Sequence, residues 1–391
     1  MAERIPLHEP VFEGNEWQYV KECLDSGWVS SAGPFVEQFE DSIKAYTGAK
    51  YAVACVNGSA ALNVALRVAG VEKNHEVIVP SLTFIAPVNA IHFCGAHPIF
   101  MAADEFFNIN IEKTEEFLEH QTEQREDGCW NKKSGRKIIA ILPVHVFGNA
   151  ARMESLLSLA RENNLILIED AAESLGTVYT EGELQGRHTG AIGKMGCLSF
   201  NGNKIITAGG GGMILTNDER LSEKAKYLIT QAKDDPLRYV HNAIGYNYRP
   251  SNIQAALGLA QLEQLPGVLN QKRNVSEAYR KAFIGVDGLR LAQVPTYADN
   301  NHWLNVLRID AEVYGEDRES LMERLSSLGI QSRPIWMLNH WQEPYRLCES
   351  FITAGTEKRW GDSLCIPSSA KLEQKQIDMV TDALCRRSIF E

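Results

Sequence analysis

The chain has 391 residues, of which 44% are hydrophobic and 23% are charged, and its formal net charge is −11 at pH 7. This length predicts about two to three domains, and the composition is ordinary for a globular enzyme. The negative charge disfavours nucleic acid as a partner, because nonspecific binding to a phosphate backbone requires a basic surface, but it does not exclude an anionic small molecule.

Three sequence features bear on location and metal binding. Residues 1–16 contain no apolar run of the signal-peptide kind. The most apolar runs, residues 137–148 and 164–172, are shorter than the ~20 residues that a membrane helix requires. The eight cysteines form no Cys-x-x-Cys pair, and none stands at zinc-ligand spacing with histidine. We therefore expect no membrane partner, no metal site and reduced thiols in a cytoplasmic protein.

Seven short apolar runs in the first 250 residues predict the strands of one sheet. Most are continuously apolar rather than alternating, which indicates strands that are buried on both faces. Helical patterns with apolar residues at i, i+3 and i+4 lie between many of them, as in residues 59–71 and 152–164. The expected fold class is α/β, with a mostly parallel seven-stranded sheet and helices on both sides. The predicted strands are YAVACV (51–56), EVIVP (76–80), HPIFMA (97–102), KIIAILPV (137–144), NLILIED (164–170), GCLSF (196–200) and GGMILTN (211–217).

Two stretches depart from this rhythm. Residues 119–137 are charged and aperiodic, which predicts a solvated insertion or a long surface turn. From about residue 250 the pattern changes, and we expect a large domain of residues 1–250 followed by a smaller α+β domain of residues 251–391. The elements predicted for this second part are one or two long helices broken near Pro266 (251–283), a strand (302–309) and two further helices (317–329 and 373–388).

A single lysine, Lys204, stands between the turn sequence NGN and the four glycines 209–212. Glycines let a backbone approach a ligand closely. Ser199 ends one predicted buried strand and Asp170 ends another, at the edge where parallel α/β sheets place their ligands. A buried carboxylate is costly unless a cation meets it, and a protonated pyridine nitrogen would be such a cation.

These features suggest pyridoxal phosphate (PLP). The cofactor needs a lysine for its aldehyde, a carboxylate near its ring nitrogen, an anion site for its phosphate and a flat partner for its ring. The strand–turn–helix pattern VNGSAALNVAL would direct the amides of Ser59 and Ala60 at a phosphate. Phe84 in SLTFIAP could lie over the ring. Each motif alone is weak, because such junctions are common and an aromatic residue at this place is more often part of the core.

The chain resembles, essentially end to end, the DegT-type nucleotide-sugar aminotransferases, which have the fold-type-I aspartate aminotransferase architecture. Any one of the shared motifs is modest evidence, but seven in family order are specific. The motifs are SGWVSSAGPFVEQFE (26–40), NGSAALNVAL (57–66), VPSLTFIAPVNAI (79–91), VHVFGNAARM (144–153), EDAAESLG (169–176), GCLSFNGNKIITAGGGGM (196–213) and GYNYRPSNIQAALGLAQLEQL (245–265).

The resemblance implies two catalytic residues, Lys204 and Asp170. Lys204 would hold the cofactor covalently and shuttle a proton, and Asp170 would pair with the ring nitrogen. Glu173 takes the position near the phenolic oxygen.

The resemblance also implies the remaining cofactor contacts. Ser59, Ala60 and Ser199 would bind the phosphate, and Phe84 would stack on the ring. Asn247 would reach the phosphate from the neighbouring subunit, so the active unit would be a homodimer with shared active sites.

The substrates implied by the resemblance are L-glutamate and a nucleotide-linked 4-keto-6-deoxy sugar. The NGNK and GGGG variants resemble the branch that acts on UDP-4-keto-6-deoxy-N-acetylglucosamine in bacterial surface amino-sugar biosynthesis, where lipopolysaccharide is made. Many relatives carry an acidic residue in the glycine run, and this chain does not. For His145 a buried core position is an equal alternative, and for the tryptophans packing between domains is one. The candidate substrate contacts are Ser31, His145, Arg249, Arg333, His340 and Trp341, with Trp336 as a further stacking candidate.

Several alternatives stay open. Within PLP chemistry they are a GDP-perosamine-type 4-aminotransferase and a 3-keto sugar aminotransferase, whereas Lys204 argues against a dehydratase, in which histidine replaces this lysine. A PLP-binding regulator without turnover would need a DNA-binding module, and no basic helix-turn-helix segment flanks the core. A nucleotide-binding protein with the glycine run as its phosphate loop is disfavoured, because neither GxGxxG nor GxxxxGK[ST] occurs there.

Overall fold

The computed structural model describes residues 4–235 and 237–385. The α-helices among these residues are α1 (Glu16–Ser26), α2 (Pro34–Thr47), α3 (Gly58–Val68), α4 (Ile85–Phe93), α5 (Ile111–Gln121), α6 (Met153–Glu162), α7 (Glu219–Ile229), α8 (Asn252–Ala282), α9 (Ala311–Tyr314), α10 (Arg318–Ser327), α11 (Ala354–Gly361) and α12 (Gln374–Cys385). The strands are β1 (Tyr51–Cys55), β2 (Glu76–Pro80), β3 (His97–Met101), β4 (Thr122–Arg125), β5 (Gly128–Asn131), β6 (Lys137–Ile141), β7 (Ile166–Asp170), β8 (Val178–Tyr179), β9 (Met195–Ser199), β10 (Gly212–Thr216), β11 (Leu289–Leu291), β12 (Ala298–Asp299), β13 (Asn305–Ile309), β14 (Arg333–Pro334), β15 (Ser350–Phe351) and β16 (Ser363–Ile366).

The main sheet has the strand order β1-β10-β9-β7-β6-β2-β3-β15, and it contains all seven predicted strands. Strands β9, β7, β6, β2 and β3 are mutually parallel, and β10 is antiparallel to both of its neighbours, β1 and β9. The reversal of β10 follows from its connection, since a chain that turns directly back beside β9 must pair antiparallel. The α/β class and the mostly parallel sheet are confirmed, but the predicted number of seven strands is too low, because β4, β5 and β15 also join the sheet and bring it to ten strands among the described residues.

The sequence predicts a solvated insertion or a long surface turn over residues 119–137; much of the segment is exposed, but it is a regular hairpin rather than a turn. This segment completes α5 and then forms the β4–β5 hairpin, and β5 continues the sheet by pairing Cys129 with Ile138 of β6. The charged residues of the hairpin are exposed, whereas Cys129 and Asn131 are buried. The Asn131 Nδ2 donates to Glu76 Oε2 at 2.9 Å. Two buried side chains in a short strand give too weak an alternation for a sequence pattern to reveal.

The long helix α8 runs without interruption through Pro266, so the predicted break near this residue is wrong. A proline inside a helix costs about 3 kcal/mol. Leu262 and Leu265 before the proline and Val268 and Leu269 after it are all buried. Packing of an apolar face on both sides of a proline can outweigh the local propensity. The predicted strand at 302–309 begins at Asn305, and the last predicted helix is described as far as Cys385, so its residues 386–388 lie outside the described residues.

A second, antiparallel sheet has the order β11-β13-β16-β14. Its core combines side chains from the sheet with others from α8, α10 and α12. Two short segments cross between the two parts of the chain: Ile5 lies in this smaller core, and β15 pairs with β3 at the edge of the main sheet. The division at residue 250 stays a prediction.

Within the described residues, no helix is both long enough and apolar enough to cross a membrane. The cytoplasmic location stays a prediction.

Candidate active site

The carboxyl ends of β1, β9 and β7 meet at one edge of the main sheet, because these three strands run in the same direction. The chain leaves β1 at Cys55 and enters α3, leaves β7 at Asp170, and leaves β9 at Ser199 for the loop that carries Lys204. Residues that are far apart in sequence therefore converge on one place.

A cavity of about 520 Å³ lies at this edge, between the main sheet and the β14–β16 side of the second sheet. The structure thus brings together most of the residues proposed from the sequence. Those that line the cavity are Ser59, Phe84, Asp170, Glu173, Ser199, Lys204, Arg333 and Trp336.

Lys204 has two close neighbours in the cavity. Its Nζ lies 3.7 Å from Glu173 Oε1 and 4.5 Å from the ring centroid of Trp303. Its backbone N–H donates to the carbonyl of Asn201 at 3.0 Å, which fixes the turn before it. Only 12% of the side chain is exposed. The amine is therefore held in a partly desolvated place, as a reacting amine must be.

Asp170 is buried at the end of β7, and its Oδ1 accepts a hydrogen bond from the N–H of Ala172 at 3.0 Å. Burial raises the pKa of this carboxyl above its usual value, while that hydrogen bond and the charge of Lys204 act in the opposite direction. A carboxyl group in this situation is poised to accept a cationic partner.

Glu173 is buried two residues beyond Ala171, and its Oε2 accepts a hydrogen bond from the N–H of Phe147 at 2.8 Å. Burial raises the pKa of Glu173 to about 7, and the neighbouring Lys204 limits the rise. The side chain is therefore able to donate or to accept a hydrogen bond near neutral pH.

The N-terminus of α3 provides an anion site, but one of the two predicted amides is already used. Asn57 caps the helix, and its Oδ1 accepts the N–H of Ala60 at 2.8 Å. Ala60 itself does not line the cavity, and its contact with a phosphate stays a prediction. The first amides of a helix, here those of Gly58 and Ser59, lack partners within the helix. A Cβ at Gly58 would lie 2.9 Å from Ser199 Cβ, so glycine is needed for this close approach.

His145 is the core histidine that the sequence left as an alternative, and its predicted role in lining the pocket is wrong. It is 0% exposed, its Nδ1 accepts the N–H of Ala151 at 3.0 Å, and its Nε2–H donates to Glu169 Oε2 at 3.0 Å. Both ring nitrogens are therefore satisfied by the protein.

Five other predicted residues also lie outside the cavity. His340 Nδ1 is 2.7 Å from Ser81 Oγ, and Trp341 packs edge-on against Trp360 with ring centroids 5.1 Å apart. The remaining three are Ser31, Asn247 and Arg249, of which Asn247 is exposed and the other two are half-buried.

Several cavity residues escape the sequence analysis. They include Leu7, from the N-terminal segment, and Phe147, whose ring stacks on that of Trp336 with centroids 4.8 Å apart. Trp303 arrives from the loop before β13. The Asn57 cap is the one that a sequence rule could have found, because asparagine immediately before a helical pattern is a common N-cap.

The residues present fit PLP. A lysine amine, a buried carboxyl group in need of a cation, and a helix N-terminus with Ser59 beside Ser199 of β9 face one cavity, and this donor set matches an aldehyde, a pyridinium and a phosphate. Across the described parts of the chain, no group of three or more histidine, cysteine, aspartate or glutamate side chains is arranged to hold a metal ion.

Comparison with known proteins agrees with this site. Residues 10–385 match the model of the DegT/DnrJ/EryC1/StrS aminotransferase family. The GDP-perosamine synthase of Caulobacter vibrioides is 38% identical over 384 residues, and that of Escherichia coli O157:H7 is 33% identical over 382 residues; in both cases the match covers 97% of each chain. A crystal structure of DesI in the presence of its TDP-sugar product matches with a TM-score of 0.86 at 27% identity, covering 100% of this chain and 95% of that one.

These matches confirm the resemblance inferred from the motifs, and with it the fold-type-I architecture. The aminotransferases of this family depend on PLP, which is the cofactor that the cavity fits. The chain belongs to the DegT/DnrJ/EryC1/StrS aminotransferase family, and it is a PLP-dependent sugar aminotransferase.

Proposed function

We propose that this enzyme moves the amino group of L-glutamate to the keto carbon of a nucleotide-linked 4-keto-6-deoxy sugar. The observation that supports the proposal best is the grouping of Lys204, Asp170 and Glu173 around one cavity of about 520 Å³. Arg333, which is exposed where it lines this cavity, supplies local positive charge for an anionic substrate on an acidic protein.

The side chains divide the work. When bound, PLP supplies an electron sink that acidifies the carbon–hydrogen bond beside the substrate nitrogen. Lys204 takes that proton at its Nζ and later returns it, acting as general base and then as general acid. Asp170, at the end of β7, would pair with the positive charge of the cofactor ring. Ser59 and Ser199 would bind the cofactor phosphate. Glu173 donates a hydrogen bond in its protonated form. Because donor and acceptor use one cavity in turn, we expect ping-pong kinetics.

The proposal also concerns which nucleotide the sugar substrate carries. The two GDP-perosamine synthases, at 38% and 33% identity, support a GDP-linked substrate, which is an alternative that the sequence leaves open. The NGNK and GGGG motifs keep the UDP-linked N-acetylated sugar as the second candidate. Either product would enter bacterial surface amino-sugar biosynthesis, such as that of lipopolysaccharide.

A substrate panel tests this proposal. The purified holoenzyme is incubated with L-glutamate and, separately, with the GDP-, UDP- and dTDP-linked 4-keto-6-deoxy sugars, and the products are identified by mass spectrometry. We expect conversion of the keto group to an amino group, with the highest kcat/KM for the GDP-linked sugar and none without glutamate. A preference for the UDP-linked sugar would overturn the GDP assignment, and no turnover of any sugar would overturn the function.

The exposed surface supports a homodimer. Trp17, Leu24 and Trp28 on and beside α1 are 80%, 60% and 55% exposed, and Ile244 is 88% exposed. Large apolar side chains that cluster at a surface commonly mark a protein–protein interface. Ile244 stands three residues before Asn247, so a partner that covers Ile244 would also lie close to Asn247.

Mixed dimers test the shared site. Neither Lys204→Ala nor Asn247→Ala dimers are expected to turn over at the wild-type rate. After subunit exchange between the two variants, we expect about one quarter of wild-type activity, because half of the dimers are mixed and each mixed dimer has one intact site. The matched control is exchange between Lys204→Ala and Asp170→Ala, which act within one subunit and should show no recovery. Absence of recovery with Asn247→Ala would count against a contribution from the neighbouring subunit.

A further inference from the structure

Trp303 faces the reactive amine of the cavity. Its ring centroid is 4.5 Å from Lys204 Nζ, within the distance at which the face of an indole attracts an ammonium group. The residue is only 2% exposed, and a cation–π contact is strongest where water is excluded. The amine is also 3.7 Å from Glu173 Oε1. It is therefore close to both a carboxyl group and an aromatic face.

Three hydrogen bonds fix the orientation of this ring. The Trp303 Nε1–H donates to the carbonyl of Asn203, the residue before Lys204, at 2.7 Å. The backbone N–H of Trp303 donates to Asn301 Oδ1 at 2.9 Å, and Asn301 Nδ2 donates to the carbonyl of Glu173 at 2.8 Å. Hydrogen bonds thus connect Trp303 both to the loop that carries Lys204 and to the turn that carries Glu173.

Lys272 of α8 holds the backbone of Trp303 in place. It is 0% exposed, and its Nζ donates to the carbonyls of Trp303 at 2.8 Å and of Ser368 at 2.6 Å. Burial lowers the pKa of Lys272 well below its usual value. A buried amine is costly, and a methionine would fill similar space without that cost. Lys272 donates two hydrogen bonds to carbonyl groups, which an apolar side chain cannot do.

We propose that Trp303 is a further catalytic residue, whose face receives the Lys204 ammonium whenever that amine is not bonded to the cofactor, and that Lys272 is a positioning residue for Trp303. The proposal rests on the proposed role of Lys204 as proton carrier. No bond forms or breaks at Trp303. The ring keeps the amine within the cavity between its two proton transfers, so that it does not settle on Glu173 or turn to solvent.

The first test needs no turnover. The full-length protein, freed of cofactor, is treated with trinitrobenzenesulfonate, and modification of Lys204 is followed by peptide mass spectrometry. In Trp303→Leu we expect the modification rate to rise about 3- to 10-fold, because the contact that shields the amine and stabilises its charged form is lost. Trp303→Phe keeps an aromatic face and should change the rate less than about 2-fold. The matched control is Trp360→Leu, which removes a tryptophan that lies 4.6 Å from the Arg318 guanidinium, away from the cavity, and should leave Lys204 labelling unchanged.

The second test uses the holoenzyme. In Trp303→Leu we expect kcat to fall roughly 5- to 30-fold, the range of a desolvated cation–π contact, while KM for glutamate changes little. A structural role alone would change the two parameters without this split. Lys272→Met, which retains the volume of the side chain, should show the same labelling change as Trp303→Leu but to a smaller extent.

The two tests separate this proposal from the function. Unchanged Lys204 labelling in Trp303→Leu would overturn the role of Trp303, whatever the sugar panel shows. If that variant does not fold, Lys272→Met decides in its place, and wild-type labelling and kcat in that variant would overturn the proposal. Labelling that responds as expected in a protein that turns over no sugar would support the contact and reject the proposed function.

Discussion

Replacement of Lys204 by alanine is expected to lower the transamination rate at least about 10³-fold, because a placed general acid–base contributes ~10²–10⁴-fold and the covalent attachment is lost as well. The expectation follows from position. The Nζ of Lys204 lies inside the cavity with a carboxyl group 3.7 Å away, at the edge where the strands that carry Asp170 and Ser199 end. The rate is measured at steady state with glutamate and the preferred sugar from the panel.

A charge-preserving variant and a surface lysine sharpen this test. Lys204→Arg keeps the positive charge, but a guanidinium does not give up its proton near neutral pH, so we expect it to be as inactive as the alanine variant. Lys194, half-exposed and 2.8 Å from Asp218 Oδ2, is the matched control, and Lys194→Ala should keep the wild-type rate. Borohydride should fix the cofactor to the wild-type peptide that contains Lys204. Wild-type turnover in Lys204→Ala would remove this residue from the chemistry.

The sequence could predict what depends on strand direction. In a parallel sheet the carboxyl ends of strands share one edge, so finding the strands that end at Asp170 and Ser199 was enough to place both residues near Lys204. The same logic placed the start of α3. The strand ends predicted from the sequence are the strand ends in the folded sheet, and Asp170, Ser199 and Lys204 therefore line one cavity.

The sequence could not predict side-chain direction or contacts between distant segments. His145 follows a buried strand as closely as Asp170 ends one, yet its ring turns into the core, where Glu169 and the N–H of Ala151 complete its hydrogen bonds. Trp303 comes 99 positions after Lys204, from a loop whose course depends on the second sheet. Ala60 has the right place in the sequence, but its amide is taken by the Asn57 side chain.

Replacement of Asp170 by asparagine is expected to lower the transamination rate by at least about 10³-fold, or roughly 4 kcal/mol in activation free energy. Asparagine keeps the shape and the oxygen that accepts the Ala172 N–H, so the change removes the negative charge and little else. The reason for the loss is that a neutral amide cannot hold a positive charge at this place, and the electron sink of the cofactor depends on that charge. Steady-state rates and spectroscopic titration with PLP measure the two effects.

The same carboxyl group should weaken the fold when the cofactor is absent. Burial raises the pKa of Asp170, so between its usual pKa and the raised one the unfolded chain has already lost a proton that the folded chain retains. The folded state binds more protons there, and stability must fall as pH rises through this window. Relative to wild type, cofactor-free Asp170→Asn should therefore gain stability as pH rises, measured by urea unfolding at several pH values.

Addition of PLP should stabilise wild type more than the variant, because only the carboxylate gains a cation. A variant that keeps the wild-type rate and the wild-type response to PLP would show that the charge at this position has no part in the reaction.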